Sequence, residues 1–175
     1  MNEKKFAEIL RINLQKSLRN YRISSGESLI YKVIIDSSGK FCPKNPNFPK
    51  RGQLALETDI LIKKDNTPLV VIETKIEGFS THDILTYSTK ALKHKEIYPY
   101  LRYGLVVGNT EIIGNKFFTH NHGFDFAIAI PEIKNLKIFM TVIREQVTSA
   151  ELLLNILKDK HQTRVYSSSV TIKNN

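Results

Sequence analysis

The sequence predicts an α/β fold in which a central mixed β-sheet is flanked by α-helices. Three observations lead there. An apolar stripe at helical spacing opens the chain, β-branched runs occupy its middle, and an amphipathic segment of helix length separates two of those runs. Strands that alternate with helices in this way join one sheet, which buries its faces under the helices.

Each element follows from its residues. In KKFAEILRINLQKSLRN, Phe6, Ile9, Leu10, Leu14 and Leu18 fall on one side and predict an amphipathic helix over 3–19. LIYKVIID, 29–36, is β-branched and aromatic enough for a strand, with a buried helix as the other choice. SSGKFCPKNPNFPKRG gathers three prolines and two glycines over 37–52, a loop with a cationic tip at Lys50 and Arg51. Two strands, 54–63 and 68–76, meet across the turn residues KDNTP. Ser80 and Asp83 have capping-box spacing and open a helix to about 95, with Ile84, Leu85, Ser88, Ala91 and Leu92 as its inner stripe. RYGLVVGN, 102–109, and FDFAIAI, 124–130, are further buried strands. Pro131 closes the last of them and begins a mostly helical region, 131–165, where Thr148 and Glu151 form a second capping-box pair. The last ten residues, YSSSVTIKNN, are expected to be loose.

At 175 residues, 41% apolar and 25% charged, the chain suits one compact domain. No run reaches the roughly 20 apolar residues of a membrane helix, and MNEKKFAEIL mixes both charges, unlike a leader. The expectation is a cytoplasmic protein that does not engage a membrane. A lone cysteine, Cys42, permits neither an internal disulfide nor a cysteine-rich zinc site. The formal charge of +9 is concentrated early: residues 1–53 hold 11 Lys and Arg against 4 Asp and Glu, a net +7. That basic region suits a polyanion such as nucleic acid, although lysine-rich surfaces are also common in proteins that bind none.

The central hairpin carries charge where a core strand should not. Alternation puts Ala55, Glu57, Asp59 and Leu61 on one face of the first strand, and Leu69, Val71, Glu73, Lys75 and Glu77 on one face of the second. With the apolar faces aligned, all the charges emerge on one side and begin only halfway along each strand, as at a half-covered cleft. Paired strands lie about 4.8 Å apart, so Asp59 and Glu73 can converge with Lys75 one step away. Two converging carboxylates repel unless a cation joins them, and they supply the minimum protein contribution to an Mg²⁺ site.

Asp59, a hairpin, and then Glu73-Thr74-Lys75 after Leu-Val-Val-Ile resembles the PD-(D/E)XK nuclease signature, with Thr58 standing where the motif has proline. The order of elements that follows is also similar, so the likeness covers 54–109, between a basic N-terminal region, 1–53, and the helical 131–165. The resemblance implies a single restriction endonuclease-like domain that hydrolyses DNA phosphodiesters. It implies metal binding by Asp59, Glu73 and the Thr74 carbonyl, with Mg²⁺ as the cofactor and Mn²⁺ as a substitute. Lys75 would orient or polarise the attacking water and offset phosphorane charge. Glu57 lies on the Asp59 face and is a candidate for a second ion or a solvated rim carboxylate.

Relatives often place a metal-touching glutamate on the first helix; Glu8 falls nearly opposite the apolar stripe and is not expected to serve. Tyr87, Lys90 and His94 share a flank of the later helix, with a surface role the plainer reading for each. Lys90 joins Lys50 and Arg51 as a candidate DNA contact. His120 and His122 in FTHNHGFDF share one face if the segment is a strand, but lack Cys or His partners for zinc, and His161 is remote. Gly104 and Gly108 form no phosphate-binding fingerprint.

The expected function is therefore that of an Mg²⁺-dependent restriction-type endonuclease or the cleavage subunit of one. Double-strand cleavage would call for a homodimer or a larger specificity subunit. Three alternatives stand beside it: a structure-selective repair or recombination nuclease, a non-catalytic DNA-binding module, and a hairpin whose Asp59, Glu73 and Lys75 merely pair.

Overall fold

The computed structural model describes residues 1–50, 52–160, 162–167 and 171–172. Helix α1 (Glu3–Ser17) leads into strands β1 (Arg22–Ser25), β2 (Ser28–Ile30), β3 (Ile34–Ile35), β4 (Phe41–Cys42), β5 (Ala55–Glu57), β6 (Ile60–Lys64) and β7 (Thr67–Ile76). Helix α2 (Thr81–Ile97), β8 (Arg102–Gly108), α3 (Asn115–His120), β9 (Phe126–Ile130) and α4 (Lys137–Leu157) follow. The main sheet has the order β1-β6-β7-β8-β9; its first three strands are antiparallel neighbours, and β7, β8 and β9 run parallel. Two short ribbons, β2-β5 and β3-β4, stand outside it. The predicted architecture of a mixed sheet between helices is the observed one.

Alternation along the strands divides the core in two. Ile60, Ile62, Val70, Ile72, Val106 and Ile128 meet Phe6, Leu10 and Leu14 of α1 and Phe139, Ile143 and Val147 of α4. Leu61, Val71, Tyr103, Leu105 and Val107 meet Ile84 and Ala91 of α2 and Phe117 of α3. Both faces of the central strands are thus buried, which is why they read as nearly unbroken apolar runs. Gly104 permits the closest approach inside the sheet: a Cβ there would lie 2.1 Å from the Phe126 ring on β9. No helix among the described residues is long and apolar enough to cross a membrane.

Several boundaries differ from expectation. Residues 29–36 are not one strand, because β2 ends at Ile30 and β3 holds only Ile34 and Ile35, both exposed. The loop over 37–52 contains β4, and β1 was not anticipated. The strand expected over 54–63 breaks at Thr58. Its first half pairs with β2 and its second with β1, and Gly26, at φ +68°, turns the opposing chain at the same level. Thr58 is fixed there by Gly26 N–H on its carbonyl and by its own N–H and hydroxyl on the Glu27 carbonyl, at 2.9–3.0 Å.

The α2 stripe also differs: Leu85 and Leu92 are exposed, while His94 is buried. Residues 115–120, which end at His120, are helical, so His120 and His122 do not share a strand. Thr148 and Glu151 lie inside α4 and cap nothing. Arg51 and His161 lie outside the described residues, as do six of the last ten; the other four, 166–167 and 171–172, are in no helix or strand.

Candidate active site

The fork at Thr58 creates the candidate site. Pairing of β6 with β7 starts at Ile60 opposite Ile72, so β7 runs on past its antiparallel partner. Asp59 fills the gap: its Oδ2 accepts the Thr74 N–H at 2.7 Å and the Thr74 hydroxyl at 2.9 Å, in place of a missing strand carbonyl. A carboxylate so held keeps one rotamer, with its second oxygen turned elsewhere.

Glu73 precedes Thr74 and points to the opposite face, under α2. It is 1% exposed, so the cleft expected to be open is roofed at this residue. Lys90 on α2 donates to Glu73 Oε1 at 2.7 Å and also to the Glu57 carbonyl, and the Tyr103 hydroxyl donates to the same Oε1. Burial pushes the Glu73 carboxyl above the usual range, Lys90 pulls it down, and Asp59 adds to the rise. Asp59 immediately precedes Ile60 and Glu73 immediately follows its partner Ile72, so the two carboxylates stand at the same end of the β6-β7 ladder. Burial, and then the neighbouring Glu73, keeps Tyr103 a phenol that can only donate to the carboxylate.

Lys75, two residues along the same face, is half-buried between Glu3 of α1 at 3.3 Å and Asp83 of α2 at 3.5 Å. Burial disfavours its ammonium, but the Tyr87 oxygen, Glu3 and Asp83 outweigh that, and its pKa is raised. Tyr87 itself is pushed up by burial, so at neutral pH it is a phenol and the two carboxylates do the stabilising. The Tyr87 ring lies between the two lysines, 5.5 Å from Lys75 Nζ and 5.8 Å from Lys90 Nζ. Asp83 is placed by the capping box at the start of α2, where Ser80 N–H and hydroxyl each donate to its Oδ2 at 2.7 Å.

The chain thus brings together Asp59, Glu73, Thr74 and Lys75. Glu57 is exposed on β5, and its carbonyl takes part through Lys90. Lys90 spends its ammonium inside the site, whereas Lys50 is exposed. Glu8 pairs with Arg11 at 2.7 Å instead of approaching the carboxylates. Three site residues escaped the sequence reading. Glu3 carried a signal, since the first turn of an N-terminal helix packed on β7 can reach that strand's end. Tyr103 shares the Leu105 and Val107 face, but only the register of Val71 opposite Tyr103 shows that it meets Glu73. Asp83 was visible as a cap alone.

Compared with known proteins, the chain matches no family model, no curated protein and no solved structure. What the site can do is decided by its own donors. The hydrogen bonds to Asp59 fall on Oδ2 and those to Glu73 on Oε1, so Oδ1 and Oε2 are left as hard oxygen donors among the described residues. No cluster of three or more His, Cys, Asp or Glu side chains poised for a metal exists among those residues. The donor set fits an ion that takes one or two carboxylates and fills its shell with water and phosphate, as Mg²⁺ does, and fits zinc poorly.

Proposed function

We propose that the chain is an Mg²⁺-dependent DNA endonuclease with a PD-(D/E)XK, restriction endonuclease-like core. One observation carries this reading: Asp59 and Glu73 flank the end of the β6-β7 ladder, with the Lys75 ammonium next along β7. Asp59, Glu73 and the Thr74 carbonyl would hold the ion, which Mn²⁺ could replace. When bound, Mg²⁺ supplies Lewis-acid stabilisation and orients the phosphate for in-line attack. Thr74 locks the Asp59 rotamer; Lys90 and Tyr103 hold Glu73 in place. Lys75, kept protonated by Glu3 and Asp83, acts as a cation and hydrogen-bond donor towards the phosphorane and is not the base. The basic N-terminal region draws in the DNA, and cleavage of both strands requires a second copy or a larger specificity subunit.

The test is nicking of supercoiled plasmid with Mg²⁺, Mn²⁺ or EDTA. The wild type is expected to nick only with metal, and Glu73→Gln and Lys75→Met to lower the rate at least about a hundredfold. Nicking that survives both substitutions, or that proceeds in EDTA, would sink the assignment.

The Lys90 contact favours one alternative, a DNA-binding module without turnover in which Lys90 is the permanent counter-ion of Glu73. Such a protein would bind DNA in EDTA, lose affinity with salt, and nick with neither metal.

A further inference from the structure

The β3-β4 ribbon has no place in the reading above, and it pairs two well-exposed large apolar side chains across its strands. Ile35 and Phe41 are direct cross-strand partners, yet they are 61% and 63% exposed. Two residue pairs make no core, so nothing within the ribbon compensates for the hydration of these side chains. Its turn is nonetheless well fixed. Asp36 Oδ1 accepts from Ser38 N–H, the Ser38 hydroxyl and Lys40 N–H at 2.7–3.0 Å, and Gly39 takes a φ of +79° to close it. The apolar pair is therefore presented on a preformed arm.

The surrounding charge selects the partner. Between residues 31 and 50 the only acid is Asp36, whose oxygen is engaged in the turn, while Lys32, Lys40, Lys44 and Lys50 are all exposed. An apolar protein surface has no need of four uncompensated lysines, whereas a polyanion with flat apolar faces matches both features. The arm's base is closed by Tyr31 N–H on the Leu54 carbonyl at 2.9 Å, and Leu54 leads through β5 to Asp59. Five residues of extended chain span about 17 Å, only a few nucleotide steps.

We infer that the β3-β4 arm is a stacking wedge that engages unpaired bases beside the cleavage site, giving the protein a preference for DNA with single-stranded character. This rests on the reading of the site as one that acts on DNA, and it refines the substrate from duplex to duplex with an unpaired segment. Ile35 and Phe41 supply the apolar faces on which a base stacks, and the lysines track the phosphates on either side.

The chain contains no tryptophan, so Phe41→Trp places a single reporter on the arm. Its emission is measured in EDTA with a blunt duplex and with the same duplex bearing an oligo-dT tail, and anisotropy compares the affinity of wild type and Phe41→Ala. Expected are quenching by the tailed duplex alone and about tenfold weaker binding of that duplex by Phe41→Ala, with blunt-duplex binding unchanged. Equal quenching by both DNAs, quenching by neither, or a blue shift that grows with protein concentration in the absence of DNA would overturn the inference; the last would make the arm a surface for a second copy. Thermal melting verifies that both variants fold. Plasmid nicking remains a separate readout: a protein that nicks with a silent Phe41 loses only this proposal, and one that stacks but never nicks loses only the nuclease.

Discussion

Glu73 and Lys90 show how a charged pair can be both costly and necessary. Glu73 is nearly sealed from water, and its carboxyl, raised by burial, is opposed chiefly by Lys90 at 2.7 Å. Removing one partner of such a pair leaves the other charge stranded, which costs about 3 kcal/mol, whereas replacing both costs far less. Lys90→Met is therefore expected to lower unfolding stability by about 3 kcal/mol, and adding Glu73→Gln to recover most of it, in urea unfolding at pH 7. Additive losses would show that the two side chains do not act as a unit. The same pair marks how far the site could be read from sequence. Asp59, Glu73 and Lys75 are visible because strand period and hairpin pairing place them on one face. Lys90 was singled out on its helix only as a DNA contact, and its place against Glu73, like that of Tyr103 on a parallel strand, depends on registers that no local spacing encodes.

Among the elements, the strands of the central sheet were legible because period-two runs of Ile, Leu and Val persist where both faces are buried. The fork at Thr58 was not: the chain changes partners there without a change in composition, and only Gly26 hints at it. Helix α3 was missed because six residues make too short a stripe to show a period. On the inner face of α2, Ser88 is buried against a polar turn at 121–123, whereas His94 is buried against Ile30 and Tyr103. His122 N–H and Gly123 N–H both donate to Ser88 Oγ at 2.7 Å, and a Cβ on Gly123 would sit 2.3 Å from the Ser88 carbonyl. Ser88→Ala would leave the His122 N–H without its acceptor and the Gly123 N–H with Asn121 Oδ1 at 3.2 Å alone, so about 2 kcal/mol of stability should be lost. Gly123→Ala should cost at least as much, because the obstacle is backbone. A Ser88→Ala protein that melts with the wild type would show that this junction closes by other contacts.

For the molecule as a whole, His94 ties the outlying β2-β5 ribbon to the core that α2 forms with β8. It stands on α2, its Nδ1 lies 2.9 Å from the Ile30 carbonyl of the outlying β2-β5 ribbon, and its ring stacks on Tyr103 of β8 at 5.8 Å. Its Nε2 is buried with no hydrogen-bond partner among the described residues. Burial, against the Ile30 contact and with the help of nearby Lys90, lowers its pKa from 6.5 to about 4. The unfolded chain therefore binds a proton more readily than the fold does between those values. The resulting stability is complete above pH 6.5 and is lost as pH falls towards 4, by about 2 kcal/mol between pH 7 and pH 5. Glu73, with its pKa raised, has the opposite sign, stabilising most at low pH and less as pH rises; the difference between wild type and a His94 variant cancels it. His94→Phe should lose about 1 kcal/mol at pH 7 through the unpaired Ile30 carbonyl, yet be the less acid-sensitive protein. Urea unfolding of both at pH 7 and pH 5 decides this. Parallel losses on acidification would mean that His94 takes up its proton within the fold and that its buried environment has relaxed around it.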